Sequence, residues 1–152
     1  DLTGGAIEQC YQQLVSTQVS ELNLGSINTP GFSFDRPIDA VFSVNVLCQL
    51  DILIVEYIRK FKGIDEEDLM KLRTNIQKSH IKSLLNQPSC LITDTAEQVY
   101  DRTGQLIEER SLLLSEIPSE YMKQEWIWNF DTQMTYYPNR KTNFIVKTFY
   151  FE

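Results

Sequence analysis

Ile38-Asp39-Ala40-Val41-Phe42-Ser43-Val44-Asn45-Val46-Leu47-Cys48-Gln49-Leu50-Asp51 opens as a short apolar run with β-branched and aromatic residues. That composition suits a strand covered on both faces. The run turns polar at Ser43 and Asn45, and a second apolar stretch, long enough for a helix, follows. Polar groups at the C-terminal end of a buried parallel strand sit where open α/β sheets take their ligands. The expected fold is therefore a doubly wound α/β domain with a small-molecule crevice at Ser43 and Asn45.

The flanking segments extend this reading. Upstream, Gly4–Val15 carries Ile7, Cys10, Tyr11 and Leu14 at the spacing of one helical face, with Thr3 as N-cap. Val19–Leu24 alternates in part and is read as a strand, and residues 25–31 form a loop by their turn chemistry. Downstream, Gln49–Phe61 is a helix with Leu50, Leu53, Ile54, Tyr57, Ile58 and Phe61 on one side and Gly63 as its cap. A second helix, Glu66–Asn86, starts on four acids that suit the positive end of its dipole. Its buried stripe is Leu69, Leu72, Ile76, His80 and Leu84.

Ser89–Thr93 follows as a buried strand, and Gln98–Glu108 as a hairpin turning at Asp101–Gly104. Glu125–Phe130 and Thr142–Phe151 then close the chain as an antiparallel pair. Strand–helix–strand units leading into such a pair predict a mostly parallel sheet with an antiparallel C-terminal edge. The whole chain, 1–152, reads as one domain.

Composition narrows the function. The chain is 42% apolar and 23% charged, ordinary for a globular protein. A net charge of -7 argues against nucleic-acid binding by bulk electrostatics, which needs clustered Lys and Arg. No apolar run approaches a membrane span, and no charged start precedes an apolar segment as in a secretory signal. Cys10, Cys48 and Cys90 are odd in number and widely spaced, as expected of reduced thiols in a cytoplasmic protein. No ligand spacing for a metal is present, and His80 is the only histidine.

The Asp39–Leu50 segment, the stretch from His80 to Asp94, and the closing aromatic strand pair resemble class I S-adenosylmethionine-dependent methyltransferases. The resemblance implies a Rossmann-like sheet. Asp39 would enter its fourth strand, Ser89–Thr93 would be the fifth, and the closing pair would be an antiparallel edge of sixth and seventh strands. It also implies S-adenosylmethionine as cofactor and methyl transfer to a small-molecule acceptor.

Asp1 precedes Asp39 by about forty residues, the interval separating the family's ribose-binding acid from its fourth strand. By that match Asp1 would hold the ribose, and Gly25, Ser26 and Ile27 would lie beside the adenine. Ser43 and Asn45 would face cofactor and substrate. The family's first strand and glycine-rich turn have no counterpart here, so the domain reads as N-terminally incomplete. Either the chain is part of a longer protein or another segment or subunit fills the gap. The alternative is a non-catalytic, methyltransferase-like scaffold that forms a homo-oligomer through an exposed sheet edge.

Each candidate has a plainer reading beside it. Asp1 is also a chain end that would fray. Gln49 could reach substrate from the start of its helix, but Ser43, Asn45 and Gln49 are also residue types that cap a turn or satisfy local backbone. Tyr136 and Tyr137, in the loop between the closing strands, are candidate substrate contacts, or loop anchors. Trp126 and Trp128, alternating toward Phe130, could line an apolar substrate pocket near the edge strands, or pack the sheet against helices. His80 reads as a packed, hydrogen-bonded histidine.

Overall fold

A computed structural model describes residues 2–3, 5–16, 24–60 and 64–152. The chain runs through α1 (Ala6–Ser16), β1 (Val41–Val44), α2 (Ile52–Ile58), α3 (Glu66–Leu84), β2 (Ser89–Tyr100), β3 (Leu106–Ser111), β4 (Met122–Asp131) and β5 (Lys141–Phe151). Short 3-10 turns occupy Leu24–Ser26, Leu47–Gln49 and Ser119–Tyr121. Asp1, Gly4, Gly63, Phe61 and the expected strand up to Asn23 lie outside the described residues.

Among the described residues the fold is mixed α/β around an open five-stranded sheet in the order β1-β2-β5-β4, with β3 also paired to β2. Strand β2 organises it. Along one edge it takes β1 in parallel (Val41↔Ser89 to Val44↔Ile92) and then β3 antiparallel (Ala96↔Ser111 to Tyr100↔Leu106). Its other edge is paired throughout with antiparallel β5, which in turn carries β4.

The expectation of a mostly parallel sheet is thereby corrected. Among the described residues β1–β2 is the one parallel pair, and the other three pairings are antiparallel. The cause is connectivity. A parallel return needs a crossover of a dozen or more residues, usually a helix. Only the β1-to-β2 connection contains helices; β2 turns straight back into β3 at Asp101–Gly104. There the Asp101 carboxylate accepts from the Thr103 and Gln105 amides, at 2.8 and 2.9 Å, and Gly104 takes φ +85°. The antiparallel edge pair and the hairpin stand where the sequence places them.

Helix α3 covers one sheet face. Its N-cap is Asp65, which accepts from the Glu67 amide at 2.8 Å. Its stripe is the expected one: Leu69, Leu72, Ile76, His80 and Leu84 are all buried. The outer half packs against Ala6, Cys10 and Leu14 of α1, Leu24, Ile27, and Ile54, Val55 and Ile58 of α2. The inner end packs on the sheet through Ile81, Leu84, Leu91, Phe149 and Phe151. Two helical stripes are rotated from expectation. On α1, Ala6 replaces Ile7 and Tyr11 in the core; on α2, Val55 replaces Leu53 and Tyr57. The four displaced side chains remain exposed and, with Cys10 and Ile54, line an apolar hollow between the two helices.

The loop before β1 is fastened to α3. Thr29 Oγ1 lies 3.2 Å from the Asn75 carbonyl and 3.0 Å from Ser79 Oγ, and the Phe32 amide donates to Ser83 Oγ at 3.0 Å. Gly31 passes so close that a Cβ there would sit 2.9 Å from the Ser79 carbonyl oxygen.

Candidate functional site

Strand β1 ends at Asn45, where φ becomes +52°. Asn tolerates this left-handed conformation better than most residues. The Asn45 amide still donates to the Ile92 carbonyl at 2.8 Å, so the parallel ladder holds up to the turn. Beyond it, the Leu47–Gln49 turn buries Leu47 and brings Cys48 over β2, where its thiol donates to the Asp94 carbonyl at 2.8 Å. Burial pushes the Cys48 thiol up to about 11, and Cys10 likewise, so both are protonated, weakly nucleophilic thiols at neutral pH.

Opposite Asn45, β2 contains a bulge. Asp94 pairs with Val146 and Ala96 with Ile145, leaving Thr95 as the extra residue. A bulge inserts one residue into the alternation and so reverses which face later side chains occupy. Asp94 and Glu97 consequently face the same side, where alternation would have separated them. The bulge is anchored: Thr95 Oγ1 donates to the Ile145 carbonyl at 3.1 Å, and the Thr95 carbonyl accepts from the Leu112 and Leu113 amides.

The result is a cleft of about 260 Å³ between the Asn45 turn and the antiparallel edge strands. Its floor carries Asp94 and Glu97; its outer wall is aromatic, from Trp128, Phe130, Tyr136 and Phe144. Phe130 is the hinge of that wall, with ring centroids 5.1 Å from Trp128, 5.2 Å from Tyr136 and 5.0 Å from Phe144. Edge-to-face geometry of this kind fixes ring positions. Tyr136 is held from below as well, its amide donating to the Asp131 carboxylate at 2.6 Å. That bond, with others from the same turn, keeps the Asp131 carboxyl below the usual carboxylate range.

Polar groups in the cleft are unevenly satisfied. Glu97, only 1% exposed, forms an ion pair with Arg110 of β3, which also donates to the Tyr137 hydroxyl at 3.2 Å. One oxygen of each of Asn45, Asp94 and Glu97 is nevertheless buried without a hydrogen-bond partner. Desolvation raises the Asp94 carboxyl above its ordinary value. A larger groove, about 890 Å³, lies on the opposite face past the bulge. Lys147 and Glu125 in its lining are paired at 2.9 Å, Glu109 accepts from Gln98, and among the described residues none of its lining side chains has a buried polar atom without a partner. The smaller cleft is the one with unspent polar capacity.

Of the sequence-derived candidates, Asn45, Gln49, Trp128 and Tyr136 come together in this cleft, and Trp126 is not part of its lining. Tyr137 borders it through Arg110. Ser43 is elsewhere: its hydroxyl is buried 2.9 Å from His80 Nε2, beneath α3. His80 is the packed histidine expected, its ring 5.0 Å from Phe32, and burial pushes it down to about 4. Gly25 and Ser26 belong to the 3-10 turn, and the Ile27 side chain enters the helical core. Asp1 lies outside the described residues.

Asp94, Glu97 and Arg110 were not singled out by the sequence. Acids three apart on a strand do not announce a shared face, and Thr95 gives no local sign of a bulge. Among the described residues no cluster of His, Cys, Asp or Glu is placed to hold a metal ion, and no helix is long and apolar enough to cross a membrane. Comparison with family models, curated proteins and solved structures found no match.

Proposed function

We propose S-adenosylmethionine-dependent methyl transfer to a small-molecule acceptor seated in the cleft. The observation that carries this reading is the Asn45 turn. It ends a parallel strand, takes φ +52°, and leaves its carboxamide oxygen unfilled at a cleft lined by the adjacent strand. Ligands of open α/β sheets bind beyond the carboxyl ends of such strands.

Strand directions support the same reading. A parallel pair, β1 and β2, runs into an antiparallel edge pair, β5 and β4, as the methyltransferase resemblance implies for its fourth to seventh strands. The mixed sheet would then be the trailing part of a Rossmann-like sheet, continued by a further strand along β1. The outer edge of β1 has no strand partner among the described residues.

The residues present fit S-adenosylmethionine in part. Asn45 offers an acceptor, while Ser43 is engaged by His80 and Ile27 by the core. Bound, the cofactor would supply a methyl group activated by its sulfonium. The chain's own contribution is positioning: the aromatic wall and the Asn45 turn hold an acceptor in one orientation and exclude water. At about 260 Å³ the cleft suits a small acceptor alone, since clefts enclosing drug-sized ligands run from about 300 Å³ upward.

Calorimetric titration with S-adenosylhomocysteine tests the proposal. Saturable binding at micromolar concentration is the expected result. Absence of binding by a chain shown to be folded withdraws the claim that this polypeptide uses that cofactor.

The scaffold reading has one specific observation in its favour. Phe42 is 74% exposed on β1, beside the unpartnered edge, which is costly for an isolated sheet. It expects concentration-dependent association in sedimentation runs, lost in Phe42→Asp, together with no affinity for S-adenosylhomocysteine.

A further inference from the structure

We propose that the cleft recognises a protonated primary or secondary amine carried on a small apolar group. The inference goes beyond the methyl-transfer reading and stands on the cleft itself: a protonated amine has no free lone pair, so what is proposed is its binding and not its methylation.

The cleft has buried acceptors to fill. Its unpartnered buried side-chain atoms, Asn45 Oδ1, Asp94 Oδ1 and Glu97 Oε1, are all acceptors. A buried polar atom left without a partner costs free energy, so native structures seldom leave one unexplained. A ligand that fills this cleft must therefore bring donors. An ionised carboxylate brings none and a phosphate at most one, and either would meet the like charge of Asp94 and Glu97, which sets aside anionic groups at the acids; alcohols bring one.

Charge points the same way. Arg110 balances Glu97, but Asp94 has no cationic partner among the described residues, and its carboxyl is raised by desolvation. A cation placed there would offset that cost. The wall facing the acids is built from four aromatic rings. Ring faces attract cations, and ring edges and faces also accommodate an apolar body. An organic ammonium ion with N–H groups meets the acceptors, the uncompensated carboxylate and the aromatic wall at once. The net charge of -7 favours the approach of such an ion from solution.

The plain alternatives are an apolar hole indifferent to charge and a cation site indifferent to N–H donors. Three probes of similar size separate them: phenethylamine, its neutral isostere 2-phenylethanol, and phenethyltrimethylammonium, which keeps the charge and loses every donor. Binding is read by tryptophan fluorescence and calorimetry at neutral pH and low salt. Phenethylamine is expected to bind saturably, at least tenfold tighter than either comparator, and tenfold weaker in Glu97→Gln or Asp94→Asn.

Trp128→Leu, which leaves the charges in place, keeps the test open where an acid variant fails to fold; it too is expected to weaken the amine. Equal affinity for the alcohol or the quaternary ion overturns the proposal. So does the absence of saturable binding by phenethylamine and the smaller benzylamine and propylamine. Amine binding without affinity for S-adenosylhomocysteine keeps this site and withdraws methyl transfer; the converse keeps the cofactor and withdraws the amine.

Discussion

Asp94 and Glu97 stand three residues apart on one strand and line the same cleft, because Thr95 is the extra residue of a bulge against β5. The cleft's acidic floor is therefore a property of backbone register as much as of side-chain choice. Bulges near binding sites characteristically re-aim side chains in this way.

The Thr95 hydroxyl helps hold that register through its 3.1 Å bond to the Ile145 carbonyl. Thr95→Val keeps the β-branched shape and removes the bond. The expected cost is about 1 kcal/mol, the net value of a typical hydrogen bond. Urea unfolding followed by circular dichroism measures it. A midpoint unchanged from the parent would mean that the bulge is maintained by the backbone alone.

Glu97 is buried and Arg110 half-exposed, so the two partners of this ion pair are not equivalent. Arg110→Ala strands a carboxylate in the interior, and we expect a loss of about 2 kcal/mol, below the figure for a fully buried pair because Arg110 is partly solvated. Adding Glu97→Gln to Arg110→Ala should recover most of that loss, since the stranded charge is then gone. A double variant no more stable than Arg110→Ala alone would contradict this account.

Local chemistry made much of the fold legible. Helix α3 could be read with its buried stripe because its acidic N-cap region and apolar period agree. The Asp101–Gly104 hairpin and the closing strands were legible for the same reason. What the sequence did not show depends on partners distant in the chain. Asp94 to Gln98 is rich in polar residues and reads as the end of a strand, yet β2 continues through it because β3 and β5 pair with both its edges. The parallel expectation failed because strand direction is set by connections, and the connection after β2 is a tight turn. In the site, Asn45, Gln49, Trp128 and Tyr136 were found by position, whereas Ser43, one residue from the end of the same strand as Asn45, points to the opposite face and meets His80.

Gly31 and Gly104 both adopt φ +85° but have different surroundings. An added Cβ at Gly104 meets nothing within 4 Å, while at Gly31 it would press on the α3 backbone at Ser79. Gly104→Ala should cost about 1 kcal/mol, the penalty of the left-handed conformation. Gly31→Ala should cost about 2 kcal/mol or more, because the loop must also lift from the helix. Thermal unfolding of the two variants side by side gives the comparison; equal shifts would show that Gly31 is not in close approach.

The burial of His80, whose ring nitrogen lies 2.9 Å from the Ser43 hydroxyl, makes stability depend on pH. Burial lowers His80 from 6.5 to about 4, against a raising contribution from a hydrogen bond with the Leu2 backbone. Above pH 6.5 the imidazole is neutral in both folded and unfolded chains and contributes no pH dependence. As pH falls from 6.5 toward 4, the unfolded chain takes up a proton that the folded protein refuses, so stability declines across that window. By pH 4 the loss from this one group is roughly 3 kcal/mol. His80→Gln retains a polar side chain near Ser43 and does not titrate. Its unfolding free energy between pH 6.5 and 4 should therefore fall less steeply than that of the parent, the carboxylates contributing equally to both. Identical slopes for the two proteins would mean that His80 protonates in the folded state near its ordinary value, with the α3–β1 contact open enough to admit water.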